Sequence, residues 1–307
     1  MVSRRSITWI LIIGLLLTSC RSFASDSPTP VSAFGETSLP ETSTPAPDYV
    51  TNLRNAEYQL GFVDALRVVR LTDGVFEQGT PGDNDFVSVT MTDFTAHGDL
   101  NDDGTDEYFA LVAENYGGTG VFVFLAVFSE VNGQLVYQTS VWVDDRPQIN
   151  ELSMDENGIF LDVTIHRRDE PMCCPTLHTI RHYQLFNNQL DMIDYVTFTL
   201  DDRPRTITIE SPIDGTEVFS SLDIKGSVAI VPFENNLVYR ILDVGGVELA
   251  IGSITVSAPD LGAPGTFDEQ ILLGNILSGA VIRIEVQDDN AEDGSLFAMD
   301  SVELVVK

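Results

Sequence analysis

The residues best equipped for chemistry lie together in one short stretch, 98–107, which reads GDLNDDGTDE and carries the carboxylates Asp99, Asp102, Asp103, Asp106 and Glu107. Like charges this close repel one another unless water or a cation screens them. Counted from Asp99, Asn101 is third, Asp103 fifth, Gly104 sixth, Thr105 seventh and Glu107 ninth. Calcium takes about six to eight oxygens, and a loop supplies them by turning alternate side chains inward with glycine at the sharp bend. The spacing therefore predicts a calcium site built from the side chains of Asp99, Asn101, Asp103 and Glu107 and the carbonyl of Thr105. A solvated turn is the alternative, since Asp, Asn and Gly favour turns for local reasons.

The second reactive group is Cys173-Cys174 in the segment RRDEPMCCPT, followed by His178 and His182 and preceded by His166. Outside the cytoplasm thiols oxidise, which predicts a disulfide between these adjacent cysteines. Zinc is the competing reading, but zinc sites usually separate paired cysteines by about two to four residues, so adjacent ones fit poorly. The sequence has no GxSxG, HExxH or P-loop pattern. Asp106 and Glu107 sit side by side within the cation-type loop, which makes an acid–base pair the weaker account.

The elements that must position these groups read as strands. Residues 107–113 and the uncharged run 121–131 flank a Gly117-Gly118-Thr119-Gly120 turn, as a hairpin in the middle of a buried sheet would. Further strands are predicted at 68–71, 86–91, 135–143, 148–154, 159–166, 177–186 and 190–198, with hairpin signals at Asn132-Gly133 and Asn157-Gly158. Leu53, Ala56, Leu60 and Val63 have the spacing of a short helix. The fold class expected is mainly β: an antiparallel sheet or sandwich at 49–200, then a second β domain at 205–307 after the charged turn Asp201-Asp202-Arg203-Pro204.

The chain opens with Arg4 and Arg5, an apolar run from residue 10 to 17, and Leu17-Thr18-Ser19-Cys20. The run is too short to span a bilayer comfortably and reads as a leader. Residues 20–48 are rich in Ser, Thr and Pro and cannot build a core, so they read as an extended tether. The net charge is −31. Without residues 1–19 it is −33, because two of the 16 basic and none of the 47 acidic residues leave. Such a field excludes nucleic-acid binding and attracts divalent cations.

Several resemblances follow from these motifs. Leu17 to Cys20 resembles the bacterial lipobox, which implies cleavage after residue 19, lipid on Cys20, and anchorage in the cell envelope on the outer side of the cytoplasmic membrane or in an outer membrane. The Asp99-x-Asn101-x-Asp103-Gly104 spacing resembles the loops of EF-hand-like, dockerin and FG-GAP-type modules. It departs from them in Asp102, where glycine is usual, in Glu107, where a shorter Asp is usual, and in lacking a Glu at the twelfth position. ITIESPIDGTEVFSSLDIKGSV, LVYRILDVGGVELAIGSITVS and AVIRIEVQDDNAEDGS, with the final SVELVV, look like the immunoglobulin-like domain of bacterial spore-germination proteins. That likeness implies a β-sandwich binding or adapter module with no catalytic residues to carry over. Residues 49–200 are similar to secreted bacterial proteins that pair a GDLNGDG-type loop with a Gly-Gly turn and a Cys-Cys-Pro segment, a likeness that implies no particular activity. The function expected is a non-catalytic, lipid-anchored envelope module that binds a protein or glycan, with calcium fixing one domain. An envelope hydrolase of glycan or peptide, using Asp, Glu and His from different strands, is the alternative.

Overall fold

The structure, a computed structural model, describes residues 48–62, 66–101, 103–274 and 276–307. The leader, Cys20 and the tether as far as residue 47 lie outside the described residues, as do Val63 and Asp102. No helix among the described residues is long and apolar enough to cross a membrane. Asp48 caps α1 (Tyr49–Leu53) by accepting the N–H groups of Val50 and Thr51. The helix then stops. The helical spacing expected to run on through Leu60 is overturned, because Glu57–Leu60 is strand β1, antiparallel to β2 (Arg67–Arg70). A period of two wins here: Tyr58 and Leu60 are fully buried while Glu57 and Gln59 face outward.

Strands β3 (Val75–Gln78), β4 (Val87–Gly98), β5 (Glu107–Asn115), β6 (Phe122–Val131) and β7 (Gln134–Asp145) form an antiparallel meander in chain order. The β6–β7 turn places Asn132 and Gly133 at φ 53° and 78°, the pair of positive values a tight hairpin turn needs. This sheet is covered on both faces, which explains the unbroken apolar run in β6. Phe124, Ala126 and Phe128 pack with Tyr58 and Leu60 on one side, while Val123, Leu125 and Val127 pack with Ile159 and Leu161 on the other. The latter belong to a second antiparallel layer of β8 (Gln148–Asp155), β9 (Gly158–Ile165), β10 (Leu177–Phe186) and β11 (Gln189–Phe198).

After β12 (Pro204–Arg205), which adds to β11, the chain builds a sandwich. Its strands are β13 (Ile207–Ser211), β14 (Thr216–Val218), β15 (Ser221–Val228), β16 (Asn236–Asp243), β17 (Glu248–Thr255), β18 (Gly265–Leu272), β19 (Val281–Asp289) and β20 (Leu296–Val306). The order β13-β15-β18 makes one sheet and β17-β16-β19-β20 the other, with Leu222, Ile224, Leu237, Ile241, Phe267 and Ile284 between them. Gly226 lets β13 and β18 close over β15, since a Cβ there would lie 2.1 Å from the Thr208 carbonyl oxygen and 2.4 Å from the Phe267 ring.

Backbone pairing does not stop at the turn after residue 200. Asp194, Tyr195 and Val196 of β11 pair antiparallel with Asp300, Met299 and Ala298 of β20. The β8–β11 layer and one sheet of the sandwich are therefore a single ten-stranded sheet, with a seam where β11 meets β20.

Candidate functional site

The acidic loop joins β4 to β5. Backbone amides gather three of its side chains: Asp103 N–H donates to Asp99 Oδ1 (3.1 Å) and Asn101 Oδ1 (3.0 Å), Gly104 N–H to Asp99 Oδ2 (2.8 Å), and Thr105 N–H to Asp103 Oδ1 (2.9 Å). The Thr105 hydroxyl also donates to Asp103, and these bonds hold the Asp103 carboxyl below its usual range. Glu107 behaves differently. It is the first residue of β5 and only 1% exposed, with Oε2 accepting Leu100 N–H (3.0 Å) and Oε1 the Ser129 hydroxyl (3.3 Å). Burial pushes its carboxyl up, and the charges of Asp103 and Asp99 add to the rise. Asp106 faces the other way, with its Oδ2 2.6 Å from His97 Nδ1.

Hard oxygen donors of this kind suit calcium. Asp99, Asn101, Asp103 and the Thr105 carbonyl would hold the ion, whereas Glu107 is bonded beneath the loop and would have to leave Leu100 and Ser129 to join them. Among the described residues no group of three or more His, Cys, Asp and Glu side chains is placed to hold a metal.

Each histidine has its own aspartate. His178 Nε2 is 2.8 Å from Asp162, and its ring stacks on Phe198 at 4.4 Å. His182 lies between Asp194 (3.1 Å) and Asp155 (3.0 Å); burial opposes its charge, but the two carboxylates outweigh that and raise its pKa. His166 accompanies Asp144. The histidines are thus engaged separately and do not join the cysteines. Cys173 and Cys174 are both exposed and stand as free thiols in this structure. Their Cα atoms are joined by a trans peptide, which holds them about 3.8 Å apart, closer than the usual span of a disulfide. The Cys173 side chain pushes the Cys174 thiol up.

Two further features lie at the seam, built from residues far apart in sequence. On one face, Asp300 stands opposite Asp194, its Oδ2 accepting Ile209 N–H (2.6 Å) and its Oδ1 Ser301 N–H (2.8 Å). Burial pushes Asp300 up to about 7, and the charges of Asp194 and Asp214 add to the rise. The other feature is a pocket of about 400 Å³ between the β9–β10 loop and the β19–β20 loop, lined in part by His166, Arg167, Glu170, Tyr195, Asp293 and Phe297. Asp144 Oδ2 accepts the His166 backbone N–H at 2.8 Å and lies 3.1 Å from Nδ1, while His166 Nε2 is buried with no partner. A larger hollow of about 600 Å³ beside β1 and β7 has no unpartnered buried polar atom in its lining.

Residues 206–295 match the family described as the immunoglobulin-like domain of bacterial spore germination. The matched segment contains β13 to β19 and stops one residue before β20. The C-terminal sandwich is therefore immunoglobulin-like, in agreement with the mainly β class read from the sequence. No curated protein matches the chain.

Proposed function

We propose that this protein is a non-catalytic, lipid-anchored module of the cell envelope that binds a partner through its fused β layers. The observation that carries the reading is the immunoglobulin-like sandwich, a fold whose germination-type members suggest a non-catalytic module, joined strand to strand to the preceding layer. A domain locked in this way presents a fixed surface, which lowers the ordering cost of binding. The motif at Leu17 to Cys20 supports anchorage through lipid on Cys20, and the chain from 20 to 48 supplies the tether. Calcium held by Asp99, Asn101 and Asp103 would stiffen the β4–β5 loop and so the centre of the five-stranded meander. The partner is an envelope protein or glycan, and the net charge of −31 argues against nucleic acid.

The hydrolase reading keeps one specific support, the Asp144–His166 pair at the seam pocket, where an imidazole is oriented by a carboxylate as a general base would be. The experiment that separates the readings is capture from envelope extract by the purified chain, with calcium and with chelator, together with analysis of the captured material for cleavage. Intact captured material supports a binding module. Cleaved material that disappears with His166→Phe overturns it in favour of hydrolysis.

A further inference from the structure

We propose that the seam pocket binds a neutral, polyhydroxylated ligand of the saccharide class, with His166 Nε2 accepting a ligand hydroxyl. The inference rests on the binding-module reading and names its ligand chemistry and its place.

The His166 side chain is only 5% exposed. Asp144 Oδ2 already accepts the His166 backbone N–H, and Nδ1 lies against the same oxygen. A carboxylate there selects the tautomer with the proton on Nδ1, which leaves a lone pair on Nε2. A buried acceptor without a donor is costly, and the group that relieves it must bring an O–H or N–H. His166 lines the pocket, so the donor comes from what occupies it. Side chains at the rim must shift for that donor to reach Nε2, a common adjustment on binding.

The remaining lining restricts the occupant further. Tyr195 and Phe297 line the pocket from either side of the seam, and a guanidinium lies over each ring: Arg181 is 5.6 Å from the Tyr195 ring centre and Arg205 4.5 Å from that of Phe297. Tyr195 is buried, so the half-buried Phe297 ring is the one placed to meet the C–H side of a sugar. Asp169, Glu170, Glu292 and Asp293 line the pocket with Arg167 and Arg168, while Arg181 and Arg205 lie against the rings of Tyr195 and Phe297, so the carboxylates and guanidiniums around the site balance and neither sign of ligand charge is favoured. Arg167 is paired with Glu170, and Arg168 donates to the Asp293 carbonyl at 3.0 Å, which ties the β9–β10 loop to the sandwich. A volume of about 400 Å³ is in the range of small-molecule sites.

The test uses the full chain and four disaccharide probes: neutral N,N′-diacetylchitobiose and cellobiose, with the acidic cellobiouronic acid and the cationic, deacetylated chitobiose as charged comparisons. Binding is followed by ligand saturation-transfer NMR and by the imidazole nitrogen signals of His166. At least one neutral disaccharide is expected to bind saturably and move the Nε2 signal, with both charged sugars weaker. His166→Phe should weaken that binding by roughly tenfold or more. The wild-type imidazole signal needs no substitution, so the test holds even where His166→Phe folds poorly. The proposal is overturned if neither neutral sugar moves the signal, if a charged sugar binds as tightly, if His166→Phe binds equally well, or if Nε2 proves to be held by trapped water only. Capture of envelope material that persists in His166→Phe would remove this site while leaving the binding-module reading intact.

Discussion

Asp300→Asn should reverse part of the protein's response to pH. In the folded chain Asp300 holds its proton up to about pH 7, chiefly because it is buried, whereas an unfolded Asp releases it near 3.8. Between those values the native state binds a proton that the unfolded state does not, so stability falls as pH rises through the window and the loss is complete above about 7. A span of about 3 pH units at 1.36 kcal/mol each gives a penalty of up to ~4 kcal/mol at pH 8. Asparagine removes the charge but has one oxygen where the carboxylate uses two, for Ile209 N–H and Ser301 N–H. Losing one of those bonds costs about 1 kcal/mol at any pH. The variant should therefore be about 1 kcal/mol less stable than wild type at pH 4 and about 2–3 kcal/mol more stable at pH 8. His182 and Asp288, both raised, tilt the wild-type curve the same way, so the difference between the two proteins is the informative quantity. Urea unfolding of both chains at pH 4, 6 and 8 measures it. A difference that stays the same at all three pH values would refute the placement of a buried, proton-holding carboxyl at the seam.

Three other outcomes are expected. Cys20→Ala should release the protein from the detergent phase or leave its precursor uncleaved, and unchanged processing and partitioning would exclude lipid on Cys20. Millimolar calcium should raise the melting temperature of the full chain, with a gain on the order of 1 kcal/mol for a Kd of about 10⁻³ to 10⁻⁴ M. Asp99→Ala with Asp103→Ala should abolish that rise and Glu107→Gln should retain it, because Glu107 is bonded below the loop; an equal response in all three would assign the effect to diffuse charge screening. Gly226→Ala should lower stability by about 2 kcal/mol or more, since the new Cβ meets the Thr208 carbonyl, and an unaffected urea midpoint would contradict the close packing of β13, β15 and β18.

Much of the architecture is legible locally. The double-sided apolar run of β6 announces a strand buried on both faces, and Asn132-Gly133 fixes the turn that follows it. What covers each face is not legible, because the partners of Leu125 and Phe124 come from different parts of the chain. Leu53, Ala56 and Leu60 have helical spacing, but Ala56, Tyr58 and Leu60 equally fit a period of two; pairing with β2 decides the matter, and that is a tertiary fact. In the acidic loop, counting residues groups Glu107 with Asp99, Asn101 and Asp103. The structure buries Glu107 at the start of β5, a placement that counting along the loop does not announce. The seam pocket carries no local signal, because His166, Tyr195 and Phe297 sit on different elements, with the register between Tyr195 and Met299 bringing them together.

That register also has a consequence for how the chain acquires its shape. Strands β8 to β11 can form as soon as residue 198 is free, but the side of β11 that receives β20 then stays open until residues 298–300 arrive about a hundred positions later. In that interval β11 offers unpaired N–H and C=O groups to any extended chain nearby, including a second copy of itself. Pro204 and Arg205, folding back as β12 onto Thr197 and Phe198, cover the C-terminal end of that edge and shorten the stretch at risk. The vulnerable moment of this protein is therefore its birth, and a chain interrupted before residue 296 would be expected to aggregate through β11 although most of its strands could form.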